Sequence, residues 1–187
     1  MKIAMPEHNK AAYLADFLVY GFTILGLTLL LVFAAPQEQG KTLLALSLIG
    51  LGSWTLLEYF IHRLILHGVQ PFQAWHAEHH RRPVALIRTP TILSASLILI
   101  LVFLPVLVFS NNLWRSCALT LGLLMGYFMY TITHHAIHHW HINNAWLKRR
   151  QNWHGMHHDH DEPGRYGVTS NIWDRVFRTA GQASKKP

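Results

Sequence analysis

Four apolar runs, residues 13–35, 42–61, 91–109 and 116–133, constrain this chain more than any other feature. Each has close to the roughly 20 residues that a helix needs to cross about 30 Å of hydrocarbon. Lipid offers no water to satisfy exposed N–H and C=O groups, so an unbroken apolar run of this length is stable only as a helix. The runs therefore predict an all-α fold with four transmembrane helices, forming a single integral-membrane domain over residues 1–187.

The polar remainder sets the expected orientation. Half of the chain is hydrophobic (51%), yet the formal charge is +7. On a four-span layout, fourteen of the sixteen Lys and Arg residues fall in the N-terminus, in the segment between spans two and three, and in the tail. The two opposite loops carry only Lys41 and Arg115. The positive-inside rule then puts both termini, and the segments between them on that side, in the cytoplasm. The basic excess is read as this orientation signal, and no nucleic acid is among the expected partners.

Two further features bound the class. The first run is too long for the apolar core of a cleaved signal peptide, and cleavage after Ala35 would leave three spans and strand one histidine group outside. The single cysteine, Cys117, lies inside a span, so no disulfide framework exists within the chain. No solenoid repeat is present, and only residues 181–187 read as disordered.

Each pair of spans is followed by histidines. His62 and His67 follow the second run, and His76, His79 and His80 come after them with offsets of three and four. His134 and His138 follow the fourth run, and His154, His157 and His158 repeat the same offsets. Residues three or four apart share a helical face. Neutral imidazole is a ligand for iron, zinc, copper and nickel. A lone pair of this kind arises on ordinary helical faces, but ten histidines in four groups exceed what one ion accepts, so a dinuclear site in a cytoplasmic helical cap is expected over residues 62–80 and 134–158. Of the remaining histidines, His8, His141 and His160 are read as solvated or hydrogen-bonded side chains, and His135 and His139 are left out of the ligand set.

Around the histidines, two acidic residues have a candidate supporting role. Glu58, one turn before His62, either orients a ligand or pairs with Arg63. Ile172, Trp173, Val176 and Phe177 recur at helical spacing and predict a short amphipathic helix, with Ser170 or Asn171 as its cap and Asp174 either accepting from a ligand histidine or exposed. Trp75, Trp140, Trp146 and Trp153 suit the membrane–water interface. The peptidase pattern His-Glu-x-x-His is absent. The spans hold few polar groups, which disfavours a membrane metal transporter or metal buffer built on the same histidines.

The stretches EYFIHRLILH, HAEHHRRP followed by Arg88 and Pro90, HHAIHH, WHGMHH and YGVTSNIWDRVFRT resemble the fatty acid hydroxylase superfamily of membrane di-iron enzymes, which includes sterol desaturases. The resemblance runs from Glu58 to Thr179, and the Gly-Val-Thr-Ser and Trp-Asp-x-x-Phe pattern is closest to its fatty acid and ceramide 2-hydroxylases. It implies that His62, His67, His76, His79, His80, His134, His138, His154, His157 and His158 are metal ligands and catalytic, holding two iron ions, a site that zinc can also occupy. It further implies O2 as co-substrate, a membrane lipid substrate, and an external electron donor that is cytochrome b5-like, a ferredoxin or a reductase. The expected reaction is hydroxylation of an unreactive C–H bond, most simply in a fatty acyl chain, with sterol or carotenoid hydroxylation or desaturation as the alternative. The chain departs from the 2-hydroxylases at Thr131, where they commonly carry Asp, and in the shorter stretch from His67 to His76.

Overall fold

The computed structural model describes residues 7–159 and 164–181. His160 and the predicted disordered residues 182–187 lie outside that range. The regular secondary structure among the described residues is helical apart from one β-bridge, Glu7 to Ile87. Helix α1 spans Lys10–Ala34, capped by the Asn9 side chain on the Ala12 N–H. After a single 3₁₀ turn, α2 spans Gly40–Phe60 and runs directly into a π-helical turn, Ile61–Leu66. Then come α3 Phe72–Arg81 and α4 Thr91–Ile98, a second π turn Leu99–Phe103, and α5 Leu104–Ser110. Finally α6 spans Leu113–His139, α7 Ala145–His157 and α8 Ile172–Val176.

Among the described residues, four helical segments are long and apolar enough to cross a membrane: Lys10–Ala34, Gln37–Leu66, Thr91–Ser110 and Leu113–His139. They coincide with the four runs, and the second and fourth continue past their apolar runs to take in His62 and His134 with His138. The third is not uniformly α-helical. Pro105 has no N–H and its ring would collide with the carbonyl one turn back, and the π turn at Leu99–Phe103 absorbs that misfit just before it.

The chain divides into two compact units. One comprises, of the described residues, 7–54 and 86–129. There the apolar faces of α1 and of Thr91–Ser110 point outward, with Phe22, Phe33, Val108 and Phe109 exposed, as lipid-facing side chains should be. Helices α2 and α6 instead approach until their backbones touch. A Cβ on Gly122 would strike the Ser47 carbonyl and one on Gly50 the Leu119 carbonyl, so glycine is required at both crossings. Small residues at helix contacts are the usual route to tight packing in lipid, where burial from water supplies no driving force. Ser47 Oγ also donates to the Ala118 carbonyl at 3.0 Å.

The same unit contains a buried charge within a span. Asp16 is buried, accepting from Thr91 Oγ1 at 2.6 Å and pairing with Arg88 at 2.7 Å. Arg88 lies over the faces of Tyr13 and Phe17, 4.9 and 4.8 Å from their ring centroids. Neutralisation and the aromatic faces together make the buried charge tolerable.

The other unit comprises, of the described residues, 55–85, 130–159 and 164–181, and contains all ten histidines of the four groups. Its small apolar core is Ala136, Ile137, Leu147 and Val168, with Tyr130 packed against it.

Candidate metal centre

The π turn decides the first group. Five residues along an α-helix is a rotation of about 140° from the starting side chain, which would point His62 and His67 apart. The i→i+5 pattern of a π turn brings residue i+5 back over residue i. Because Ile61–Leu66 is π-helical, the His62 and His67 rings stack at 5.3 Å, 27° from parallel. The other groups need no such device. His76, His79 and His80 lie on α3, His134 and His138 on α6, and His154 and His157 on α7 with His158 just past its end.

Nine of the ten predicted ligands converge into two groups whose nitrogens lie within 4.8 Å of one another. The first is His62, His67, His76, His80 and His157; the second is His79, His134, His138 and His154. The middle histidine of each His-x-x-His-His motif is exchanged. His79, from the first hairpin, lies 4.8 Å from both His134 and His138 by ring centroid. His157, from the second, has its Nε2 3.2 Å from that of His67. The first histidine of each motif stays with its own hairpin and stands between two neighbours. His76 Nε2 is 2.9 Å from His62 Nε2 and 3.0 Å from His80 Nε2. His154 Nε2 is 3.0 Å from the Nε2 atoms of His138 and of His158. His158 is outside both convergent groups but stacks on His80 at 4.2 Å.

This arrangement fits bound cations. One proton on His76 Nε2 cannot serve both neighbours, and the same holds at His154. A metal–nitrogen bond of about 2.1 Å puts two ligands at right angles about 3.0 Å apart, the separation seen at these contacts. Both ring nitrogens of His79 are buried without a hydrogen-bond partner, which in a native interior calls for an ion or a water. Burial, reinforced by His138 and His158, holds His79 down to about 2. Burial also lowers His76 and His154 well below the usual histidine range, with His62 and His134 respectively the leading neighbours. His157 is pulled down to about 3 by burial, against the opposing effect of its bond to the Gly164 carbonyl. Neutral rings with converging lone pairs are the form that binds metal.

Residues 164–169 orient two of these rings, a role the sequence alone did not assign. His62 Nδ1–H donates to the Tyr166 carbonyl at 2.6 Å, and His157 Nδ1–H to the Gly164 carbonyl at 2.7 Å. A carbonyl only accepts, so the proton is on Nδ1 and the Nε2 lone pair faces the group. The Tyr166 ring lies 5.5 Å from those of both His67 and His157. Glu58 and Asp174 hold this segment. Glu58 Oε1 accepts the N–H groups of Val168 at 2.6 Å and Thr169 at 2.9 Å, and Thr169 Oγ1 donates to its other oxygen. Asp174 accepts the N–H groups of Tyr166 at 2.8 Å and Gly167 at 2.9 Å. Asp174 thus reaches the ligand through a peptide group and not by touching the ring, and it is fully buried, not exposed. Arg63 directs Nη1 to the Tyr59 hydroxyl at 2.8 Å.

Helix α8 is shorter than the predicted amphipathic segment, and Asp174 is on its buried side, with Ile172 and Val176 exposed. Ser170 Oγ accepts from the Ile172 N–H at 3.2 Å, while Asn171 occupies the N-cap position without a side-chain bond. The adjacent histidines left out of the metal set, His135 and His139, stack on each other at 4.5 Å and join neither group.

Comparison with known proteins agrees with this geometry. Residues 47–179 match the fatty acid hydroxylase family. The chain is 33% identical over 162 residues to a dihydroceramide fatty acyl 2-hydroxylase of Arabidopsis thaliana, covering 79% of this chain and 67% of that protein. It is also 33% identical over 157 residues to a ceramide very long chain fatty acid hydroxylase of Schizosaccharomyces pombe (72% of this chain, 42% of that protein). Identity to a fatty acid 2-hydroxylase of Rattus norvegicus is 28% over 151 residues (73% and 39%). The chain therefore spans less than half the length of the latter two. The solved structure of full-length scs7p, in which only the hydroxylase domain is visible, has the same fold: TM-score 0.76 at 22% identity, over 90% of this chain and 66% of that one.

Proposed function

The chain belongs to the fatty acid hydroxylase family, and from that premise we propose that it is an integral-membrane oxidoreductase that hydroxylates a C–H bond in the fatty acyl chain of a membrane lipid. The substrate class follows the relatives, which are named for fatty acids and ceramides. The reaction consumes O2, two electrons and two protons, and yields the alcohol and water. A separate one-electron donor, cytochrome b5-like, a ferredoxin or a reductase, supplies the electrons. Residues 1–187 act as one hydroxylase domain, with the histidine-bearing side in the cytoplasm by the positive-inside rule.

The observation that carries this reading is the exchange of His79 and His157, which makes two adjacent nitrogen-only groups from both hairpins. Two irons bound there supply reductive activation of O2 next to the substrate. The ten histidines His62, His67, His76, His79, His80, His134, His138, His154, His157 and His158 hold them, with His158 completing the set beside His154 and His80. The protein's part is to keep these rings neutral, aimed and dry. Nδ1–H bonds to the Tyr166 and Gly164 carbonyls set two of the lone pairs, and burial of His62, His76, His79, His154 and His157 excludes bulk water. An acyl chain dissolved in the bilayer approaches the histidine-bearing ends of the second and fourth spans without leaving lipid.

Lipid mass spectrometry of cells expressing the chain, under ¹⁸O₂, tests this. The expected result is an acyl-containing species heavier by one labelled oxygen, absent with His157→Ala. Unlabelled lipids identical in the two samples, with a functional donor present, would refute the hydroxylase reading.

A further inference from the structure

We propose that Glu58 and Asp174 are positioning residues for one of the two metal ions and not for the other, acting through the backbone of residues 164–169. The inference rests on the two-ion reading above. The two orienting carbonyls, on Gly164 and Tyr166, both serve rings of the five-histidine group, one from each hairpin: His157 and His62. Within the four-histidine group, among the described residues, neither ring nitrogen of His79 has a partner, and Nδ1 of His154 has none. Two rings of one group are therefore aimed by this backbone segment, and none of the other group is.

The clamp on the N–H groups of residues 166–169 is carboxylate on amide. Asp174 Oδ2 accepts from the Gly167 N–H, which shares its peptide group with the Tyr166 carbonyl that accepts from His62, so carboxylate, peptide and imidazole form one chain of hydrogen bonds. Polarisation along such a chain strengthens each bond. Asp174 Oδ2 takes Gly167, Glu58 Oε1 takes Val168 and Thr169, and the Thr179 hydroxyl and N–H close the segment from the other side on Asp174 Oδ1 and its carbonyl. Both carboxylates are buried, Glu58 3% and Asp174 0% exposed. Replacing either oxygen of Asp174 by an NH₂ group sets donor against a backbone donor, and removing the Glu58 carboxylate leaves the Val168 and Thr169 N–H groups without their acceptor; the segment can escape either only by moving, which carries the two carbonyls off Nδ1. His62 and His157 are then free to rotate or to change tautomer. His79, His134, His138 and His154 receive nothing from this segment.

The test is metal stoichiometry. The full chain, purified in detergent and loaded anaerobically with iron(II), is desalted and titrated with chelator while iron per chain is followed by elemental analysis. The expected wild-type value is two. Asp174→Asn and Glu58→Ala should each hold about one, the other ion leaving at about 10- to 100-fold lower chelator, the usual loss when a ligand's hydrogen-bond partner is removed. Combining Asp174→Asn with His79→Ala, which strips the other group, should leave none. A merely structural role would release both ions together. Parallel loss of both, or two ions held with wild-type resistance, overturns the proposal. If Asp174→Asn does not give a monodisperse protein, Thr179→Val decides, because it removes one hydroxyl from the clamp and keeps both carboxylates. Earlier release of one ion supports the proposal, and unchanged release of both overturns it. Fewer than two ions on the wild-type chain would overturn the proposed function as well, which separates the two failures.

Discussion

The Nε2 atoms of His67 and His157 lie 3.2 Å apart although ninety positions separate them in the chain. His79 makes the reciprocal crossing to His134 and His138. Neither hairpin holds a complete group without the other, so the centre is a product of their association.

His79→Ala and His157→Ala should therefore each abolish hydroxylated product, by more than the roughly 10- to 100-fold seen when only a ligand's supporting partner is lost. The double variant should be little worse than either single one, because residues acting as a unit are strongly non-additive. Product is read by mass spectrometry and iron by elemental analysis in the same membranes. Substantial activity surviving in either single variant at normal expression would mean that the two groups work independently.

His135→Gln should leave the metal content at the wild-type value. Its ring stacks on His139, away from both groups. Loss of an ion in this variant would show that the ligand set is drawn wrongly.

The π turn makes a prediction of unusual form. Deleting Leu64, whose side chain is exposed, changes the His62–His67 offset from five to four, which an ordinary α-helix places on one face. Inserting an alanine after Leu64 makes the offset six, and no simple helix brings those side chains together. Metal retention should be much greater in the deletion than in the insertion, and equal loss in both would argue that the turn has another purpose.

Orientation is checked by labelling. With Cys117→Ser as background, Glu38→Cys and Leu113→Cys should react with a membrane-impermeant maleimide from outside the cell, and cysteines at either terminus only after permeabilisation. The charge asymmetry across the four spans motivates this. Protection at residue 38 together with an exposed terminus would invert the topology.

Gly122→Leu should destabilise the fold by at least the 1–3 kcal/mol or so typical of overpacking, because the obstacle is the Ser47 backbone and not a side chain that can turn away. Thermal unfolding in detergent measures it. A wild-type melting temperature would show that α2 and α6 can separate at this level without cost.

The spans were legible in the sequence because hydrocarbon admits one solution to backbone hydrogen bonding, so length and hydropathy alone identify the helices. The histidine motifs were legible for a related reason: offsets of three and four are a face of a helix whatever that helix packs against. The offset of five between His62 and His67 could not be read the same way, since only the π turn makes them neighbours. The division of the ligands into five and four, and the exchange of His79 with His157, depend on contacts between residues far apart in the chain, about which local periodicity carries no information. Glu58 and Asp174 were visible as acidic residues near histidines. Their targets, the N–H groups of residues 166–169, were not, because a backbone amide is the same in every residue and only tertiary structure decides which carboxylate it meets.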